Sequence, residues 1–291
     1  MSAIEREIST QPADWRRVAA AAATHSALLP RPGERVVAVG CGTSLHMAQA
    51  YAAAREALGL GETDAYPASE MPAARRYDRV LAISRSGTTT EVVRLLAALP
   101  PGTASVVITG VAGSPCAEHA GAAVVLDFAD ERSVVQTRFA TTTLVLLLTA
   151  LGIATAEHAD AAELALAAPP PDLSGHDRYV FLGAGWTVGL ANEAALKLRE
   201  AAGAWAEAYP AMEYRHGPIS ARAERTLVWP IGEVDRAVLA DAARAGSAIA
   251  ADGAAPLASL VRAQRAAVAL AHARNLDPDH PHSLTRSVVL P

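Results

Sequence analysis

Two loops rich in hydroxyls and one pair of charged segments are the parts of this chain best suited to chemistry. The loops are Gly40-Cys41-Gly42-Thr43-Ser44 and Ser84-Arg85-Ser86-Gly87-Thr88-Thr89. Each follows a short apolar run and opens a helical stretch, where free backbone N–H groups attract anions and Ser or Thr hydroxyls add neutral donors. That combination suits a phosphate; ordinary helix capping by Ser and Thr is the alternative. The charged segments are Lys197-Leu198-Arg199-Glu200 and Glu213-Tyr214-Arg215-His216-Gly217-Pro218. Lys197 and Glu200, three residues apart, share one helix face, with Glu193 a turn earlier as an ion-pair partner for Lys197. A surface salt bridge is the usual reading of such spacing. His216, before Gly-Pro, stands at a loop boundary that a ligand could reach, or is simply a loop residue.

Other chemistries lack their signatures. There is no His-Glu-x-x-His or Cys-x-x-Cys spacing, so no metal is expected, and no Gly-x-Ser-x-Gly elbow. Leu45 occupies the third glycine position after Gly40-x-Gly42, against a dinucleotide fingerprint, and no cofactor is expected. A formal net charge of −5 over 291 residues offers no general attraction to nucleic acid or anionic membrane. The two cysteines, Cys41 and Cys116, suit a reducing cytoplasmic setting. The start of the chain does not read as a signal peptide, and the apolar stretch from Thr143 to Ala156 falls short of the roughly 20 residues a membrane helix needs.

The elements that must position these residues alternate between short β-like runs and longer helical ones. Val36–Val39, Val80–Ile83, Ser105–Ile108 and Ala123–Leu126 read as buried strands, with helices near Ser44–Leu58, Thr137–Leu151, Ala156–Ala167 and from Thr187. This predicts an α/β fold with mainly parallel sheets flanked by helices. Pro169-Pro170-Pro171 marks a break, giving lobes over 1–172 and 173–291. The second lobe echoes the first. Val37–Thr43 recurs as Val180–Trp186, and Ala65–Glu70 as Ala208–Glu213. Gly183 follows Gly40 at the same interval at which Glu213 follows Glu70, so no insertion or deletion separates the echoes. That interval aligns Lys197 with Ala54 and Glu200 with Ala57. Only the second copy carries the charged pair. After a helix near Asp235–Ala251 the chain moves directly to its last helix, so the second sheet is expected to be small and this lobe truncated.

Together these segments resemble the SIS (sugar isomerase) family of phosphosugar-binding proteins, above all the isomerase portion of glutamine–fructose-6-phosphate amidotransferases. Cys41-Gly42-Thr43-Ser44 and Ile83–Thr89 are similar to the family's two phosphate loops. Ala195–Glu200, Ala206–Tyr209 and Glu213–Pro218 resemble its catalytic stretch, and Pro278–Val288 its C-terminal loop. The resemblance implies two tandem flavodoxin-like SIS lobes and substrate contacts from Gly42, Thr43, Ser44, Ser84, Arg85, Ser86, Thr89 and Val135. It also implies Glu200 as the base between C1 and C2, Lys197 near the reacting hydroxyls, and His216 aiding ring opening in a neighbouring subunit's site, hence a homodimer. Two positions depart from the pattern: Arg286 stands where the family carries a lysine, limiting its role to electrostatics, and Arg85 stands where Gln is common. No glutaminase segment is seen before the first lobe, and Cys does not follow Met1, so a stand-alone isomerase, deaminase or deglycase is expected. Its substrate would be a ketose or amino-sugar phosphate, and its intermediate an enediol or enolamine. The rival expectation is a non-catalytic sugar-phosphate sensor.

Overall fold

A computed structural model describes all residues except Arg222, Ala223, Asp252, Ala254 and Pro291. After α1 (Ala3–His25), the chain enters β1 (Val36–Gly40), α2 (Thr43–Ala57), β2 (Thr63–Pro67) and β3 (Arg79–Ile83). It continues through α3 (Thr90–Ala97), β4 (Ala104–Thr109), α4 (Pro115–His119), β5 (Ala122–Val125) and α5 (Arg138–Ala150). The strands form a five-stranded sheet ordered β2-β1-β3-β4-β5, with every neighbouring pair parallel. Inner parallel strands are covered on both faces, so they read as unbroken apolar runs. All five residues of β1 are buried accordingly, and Val37, Val39, Val80, Ala82 and Val107 pack with Val92 and Leu96 of α3.

The second half gives α6 (Ala156–Ala167), β6 (Arg178–Gly183), α7 (Thr187–Ala202), β7 (Trp205–Pro210), β8 (Thr226–Pro230), α8 (Arg236–Arg244), β9 (Ala248–Ile249) and α9 (Pro256–Ala273). Its sheet is also parallel, in the order β7-β6-β8-β9. Val180, Leu182 and Val228 pack with Val238 and Ala242 of α8 on one side of this core, and α7 packs against α9. The helix expected to run to Ala251 stops at Arg244: Gly246 takes a positive φ of 99°, and the chain turns into the two-residue β9.

The two sheets repeat one another in register. Val39 lies opposite Tyr66 and Gly40 opposite Pro67; Leu182 lies opposite Tyr209 and Gly183 opposite Pro210. Each member of the second set follows its counterpart at the interval that separates Gly40 from Gly183. The third strand breaks this spacing. Val39 is paired with Ala82, and the shared interval counted from Ala82 reaches only Arg225. Leu182 is paired instead with Pro230, further along the chain. The glycines at the ends of β1 and β6 are needed for the same reason. A Cβ at Gly40 would come 2.7 Å from the Ser44 carbonyl carbon, and one at Gly183 would come 2.4 Å from the Thr187 carbonyl oxygen. Strand and following helix can approach this closely only without a side chain there.

The compact units are residues 13–156 with 285–291, and residues 1–12 with 157–284. The expected division at 172/173 therefore differs at both ends of the chain. The Asp279 carboxylate accepts hydrogen bonds from the N–H groups of Ala3 and Ile4 (2.7 and 2.8 Å), anchoring the start of α1 in the second unit. Residues 285–290 bond to loops of the first unit, as described below. Among the described residues, no helix is long and apolar enough to cross a membrane.

Candidate functional site

In the first unit the second hydroxyl loop leaves β3 at Ile83 and enters α3 at Thr90. The Ser84 N–H still bonds to Ile108 O (3.0 Å), prolonging the sheet ladder by one step before the chain turns. Gly87 makes the turn at φ 64°, and a Cβ there would fall 2.0 Å from Ser114 Oγ. This places Ser86 Oγ and Thr88 Oγ1 3.0 Å apart, with Ser287 Oγ 3.1 Å from the first and 2.9 Å from the second. Thr89 Oγ1 is 3.5 Å from Ser287 Oγ. Ser84 Oγ is buried beside the Cys116 thiol. The first loop turns at Gly42 (φ 54°) and sets Thr43 and Ser44, each 2% exposed, in the first turn of α2. Neither α2 nor α3 has a side-chain hydrogen bond at its N-cap, and the first turn of α2 holds no acidic residue. Helix capping therefore does not account for these hydroxyls.

Arg85 has a different place from the one expected of a ligand contact. Its side chain is 1% exposed and turned inward. Nη1 donates to Ser133 O (2.8 Å), and Nη2 donates to Val134 O (3.3 Å) and Arg286 O (2.8 Å). The buried Glu131 carboxylate lies 3.7 Å from Arg85 Nη1 and accepts through Oε1 from Thr137 N, Thr137 Oγ1 and Arg138 N (2.5, 2.7 and 2.8 Å) at the start of α5. Arg85 is thus a strut joining three segments rather than a group reaching into solvent. Val135 is also buried, at 1% exposure, and its carbonyl accepts from Ser133 Oγ (2.8 Å), so its side chain belongs to the interior. Arg286 is directed to Asp130, with Nη2 2.6 and 2.8 Å from the two carboxylate oxygens, and Nη1 donates to Glu131 O. The guanidinium standing at the family's lysine position is therefore neutralised within its own unit.

In the second unit α7 begins at Thr187, whose hydroxyl accepts from Ala184 N (2.9 Å), and ends at Gly203 in the left-handed conformation (φ 56°). Glu193, Lys197 and Glu200 fall on one face of this helix. Lys197 Nζ is 3.2 Å from Glu193 Oε1 and 2.6 Å from Glu200 Oε2. The side chains of Lys197 and Glu193 are each 1% exposed, while that of Glu200 is 20% exposed. The surface salt-bridge reading does not fit a lysine this deep. Burial works to lower the Lys197 pKa, but attraction to Glu193 and Glu200 outweighs it and the net direction is upward, preserving the ammonium. The arrangement holds a fixed positive charge against a carboxylate that still reaches solvent, which is the geometry a proton carrier needs. In α2 the matching positions are Ala50, Ala54 and Ala57.

His216 follows a short helical turn over Glu213–Arg215, with its backbone N–H on Glu213 O (2.9 Å) and its side chain exposed. Among the described residues no group of three or more His, Cys, Asp or Glu could hold a metal ion. The structure thus assembles three sets: the hydroxyls of Ser86, Thr88, Thr89 and Ser287; Arg85 and Arg286 with Asp130 and Glu131; and Glu193, Lys197 and Glu200. Ser287, Asp130 and Glu131 escaped the sequence reading. Ser287 stood within the Pro278–Val288 segment, but nothing local ties it to a loop 201 residues earlier.

The SIS domain model matches residues 31–153. A glutamine–fructose-6-phosphate aminotransferase of Sulfurisphaera tokodaii is 31% identical over 209 residues, covering 64% of this chain and 34% of that protein. The chain thus spans about a third of the length of this curated relative. Among solved structures, glucosamine-6-phosphate deaminase from Thermotoga maritima superposes with a TM-score of 0.82 at 26% identity, covering 99% of this chain and 100% of that one. Tagatose-6-phosphate ketose/aldose isomerase from Escherichia coli gives a TM-score of 0.78 at 22% identity, covering 97% and 98%.

Proposed function

Since residues 31–153 are a SIS domain, we propose that the protein is a phosphosugar-binding enzyme that isomerises or deaminates a ketose or amino-sugar phosphate. The observation that carries this reading is the buried Lys197 between Glu193 and Glu200, on a helix whose counterpart in the first sheet has alanines at the same places. A repeated scaffold does not need these charges for folding, and burying them is costly. Chemistry is the better reason for their presence. In this reading the whole chain is two tandem SIS lobes, the second the shorter.

The hydroxyls of Thr43, Ser44, Ser84, Ser86 and Thr89, with the added Ser287, hold the phosphate. Neutral donors at helix starts suit an anion in a protein whose net charge is −5. Glu200 takes the proton from the carbon beside the carbonyl and returns it to the former carbonyl carbon. The proton thus passes between C1 and C2 through an enediol or enolamine, while the proton on one oxygen moves to the other. The Lys197 ammonium stabilises the negative charge that develops on the adjacent oxygen. His216 helps open the sugar ring. Arg286, already paired with Asp130, orders the loop around residues 130–135. The substrate class is supported by the solved relatives, one described as a glucosamine-6-phosphate deaminase and one as a tagatose-6-phosphate isomerase.

The deciding experiment incubates the protein with a panel of hexose and hexosamine 6-phosphates in deuterated water, following ammonia, ketose and label at C1 and C2. Label entering C1 or C2 is expected. A protein that binds these sugars without any exchange would instead be a non-catalytic sensor, and the enzyme assignment would fall. A homodimer with shared sites also belongs to this proposal. Mixing Glu200→Gln chains with His216→Ala chains should recover part of the activity lost in each. Sedimentation showing a fully active monomer would refute the shared site.

A further inference from the structure

Arg85 lies between two hydroxyls of its loop, Ser84 and Ser86, yet its side chain leaves the loop for two other segments of the same unit. One is the stretch 130–135, reached at Ser133 O and Val134 O; the other is the strap of residues 285–290, reached at Arg286 O (2.8 Å). The strap answers in kind. The Arg286 guanidinium bonds to Asp130 and to Glu131 O, and the Glu131 carboxylate lies 3.7 Å from Arg85 Nη1. Two arginines and two acids thus close a ring through three segments, and charge-assisted hydrogen bonds of this kind are the strong ones. The ring fixes the strap one residue before Ser287, where the strap meets the loop hydroxyls. Ser86 Oγ and Thr88 Oγ1 both donate to Ser287 Oγ, from 3.1 and 2.9 Å. The Ser287 proton has, among these hydroxyls, only Thr89 Oγ1 at 3.5 Å as an acceptor, which leaves it available to an anion. A hydroxyl that accepts two hydrogen bonds is polarised into a better donor. Beyond Ser287 the strap meets the start of α3: the Thr90 N–H bonds to Val288 O (3.1 Å) and the Leu290 N–H to Thr90 Oγ1 (2.8 Å).

We propose that Arg85 is a positioning residue for the phosphate, touching no ligand itself and acting through the strap to hold Ser287 in the donor set. The proposal rests on the hydroxyl loop being the phosphate site. Reach is what the position demands, beyond charge. A planar guanidinium serves three carbonyls on two segments at once, and a lysine ammonium, a compact point charge, does not span them. The family resemblance implies a direct substrate contact at this position. Here the contact is relayed, from guanidinium to strap carbonyl to a hydroxyl one residue on.

Nuclear magnetic resonance on the full chain, with no sugar present, reads this relay at the amides of Thr90 and Leu290. Both are expected to exchange slowly with solvent in the parent. Arg85→Lys keeps a positive charge near Glu131 and loses the fork. Both amides should then exchange on the order of tenfold faster, while those of β1 and β4 keep their rates. Calorimetry with inorganic phosphate tests the consequence. Arg85→Lys and Ser287→Ala should each weaken phosphate binding on the order of tenfold. The double variant should bind no more weakly than the weaker single one, because both changes break one relay. Losses that multiply would make Arg85 independent of Ser287 and overturn the proposal. Unprotected amides in the parent, or unchanged exchange in Arg85→Lys, would overturn it too. A parent that binds no phosphate at millimolar concentration removes the phosphate reading itself, and the proposal with it. Should Arg85→Lys fail to fold, Ser287→Ala still decides: phosphate affinity equal to the parent's leaves Arg85 nothing to act through.

Discussion

α2 and α7 are the same helix in two settings. Each follows a strand ending in a glycine that tolerates no Cβ, and each precedes an edge strand paired in the same register. Yet α2 presents Ala50, Ala54 and Ala57 where α7 presents Glu193, Lys197 and Glu200. At the helix starts the contrast reverses. Thr43 and Ser44 open α2, while Trp186 and Thr187 occupy the matching positions before and within α7, and the Thr187 hydroxyl is engaged by its own turn. The backbone is indifferent to these differences. What the scaffold requires is the glycine and the apolar strand; what varies is where hydroxyls and charges are mounted.

The strongest way to break this comparison is to make the charged helix resemble its neutral twin one residue at a time. Glu200→Gln keeps the shape of the side chain and removes the proton acceptor. Turnover should fall about 10²–10⁴-fold, with sugar-phosphate affinity nearly unchanged and no deuterium entering the sugar. Normal turnover by this variant would end the proton-shuttle assignment.

Lys197→Met acts on stability instead. It leaves Glu193 buried beside a neutral side chain, and denaturant unfolding should register a loss of about 3–5 kcal/mol. Adding Glu193→Gln should return part of it, because the orphaned charge is gone. The pH dependence follows from the upward shift of Lys197 above its ordinary value of 10.5. A raised folded-state pKa means the unfolded chain loses its proton first. The stabilisation is therefore complete below the ordinary value and disappears as pH climbs through the raised one. The parent should lose this increment in strong alkali, and Lys197→Met should not. Superimposable alkaline unfolding profiles for the two proteins would contradict the charge balance assigned to α7.

The smallest effect per residue sharpens the other half of the comparison. Replacing Ser84 and Ser86 by Ala removes two hydroxyls, each worth about 1.5–3 kcal/mol if bonded to a charged phosphate. Sugar-phosphate binding should weaken while binding of the unphosphorylated sugar stays as it was. Calorimetry giving the same affinity for phosphorylated ligand in variant and parent would remove these residues from the phosphate site.

Much of the scaffold was legible because it is written locally. β1 and the Val80–Ile83 part of β3 are unbroken apolar runs, and α6 spans the residues its pattern predicts. The constant interval between the echoed segments agrees with the register that β1/β2 and β6/β7 share. α8 was overextended because alanines continue the helical pattern past Gly246, where the backbone turns. The candidate site was legible in its residue types and less so in their orientation. Arg85 sits in a polar loop and reads as exposed, but its carbonyl partners come from positions 48, 49 and 201 residues away. Local sequence carries no record of such distant acceptors. Apart from the family resemblance, Lys197 was recognisable as special through its alanine counterpart, Ala54. Its depth follows from how α7 packs against its own sheet and α9, which no single helix reveals.

The strap formed by residues 285–290 has a consequence for how the protein is made. Ser287 meets Ser86 and Thr88, the Thr90 N–H bonds to Val288 O, and the Leu290 N–H bonds to Thr90 Oγ1. On the ribosome the five strands of the first sheet emerge long before these residues do. The hydroxyl loop must wait through the synthesis of residues 157–284 before its last hydroxyl arrives. The first sheet to be translated is thus the last to have its hydroxyl loop finished, and a nascent chain halted before Ser287 would carry that loop without its last hydroxyl.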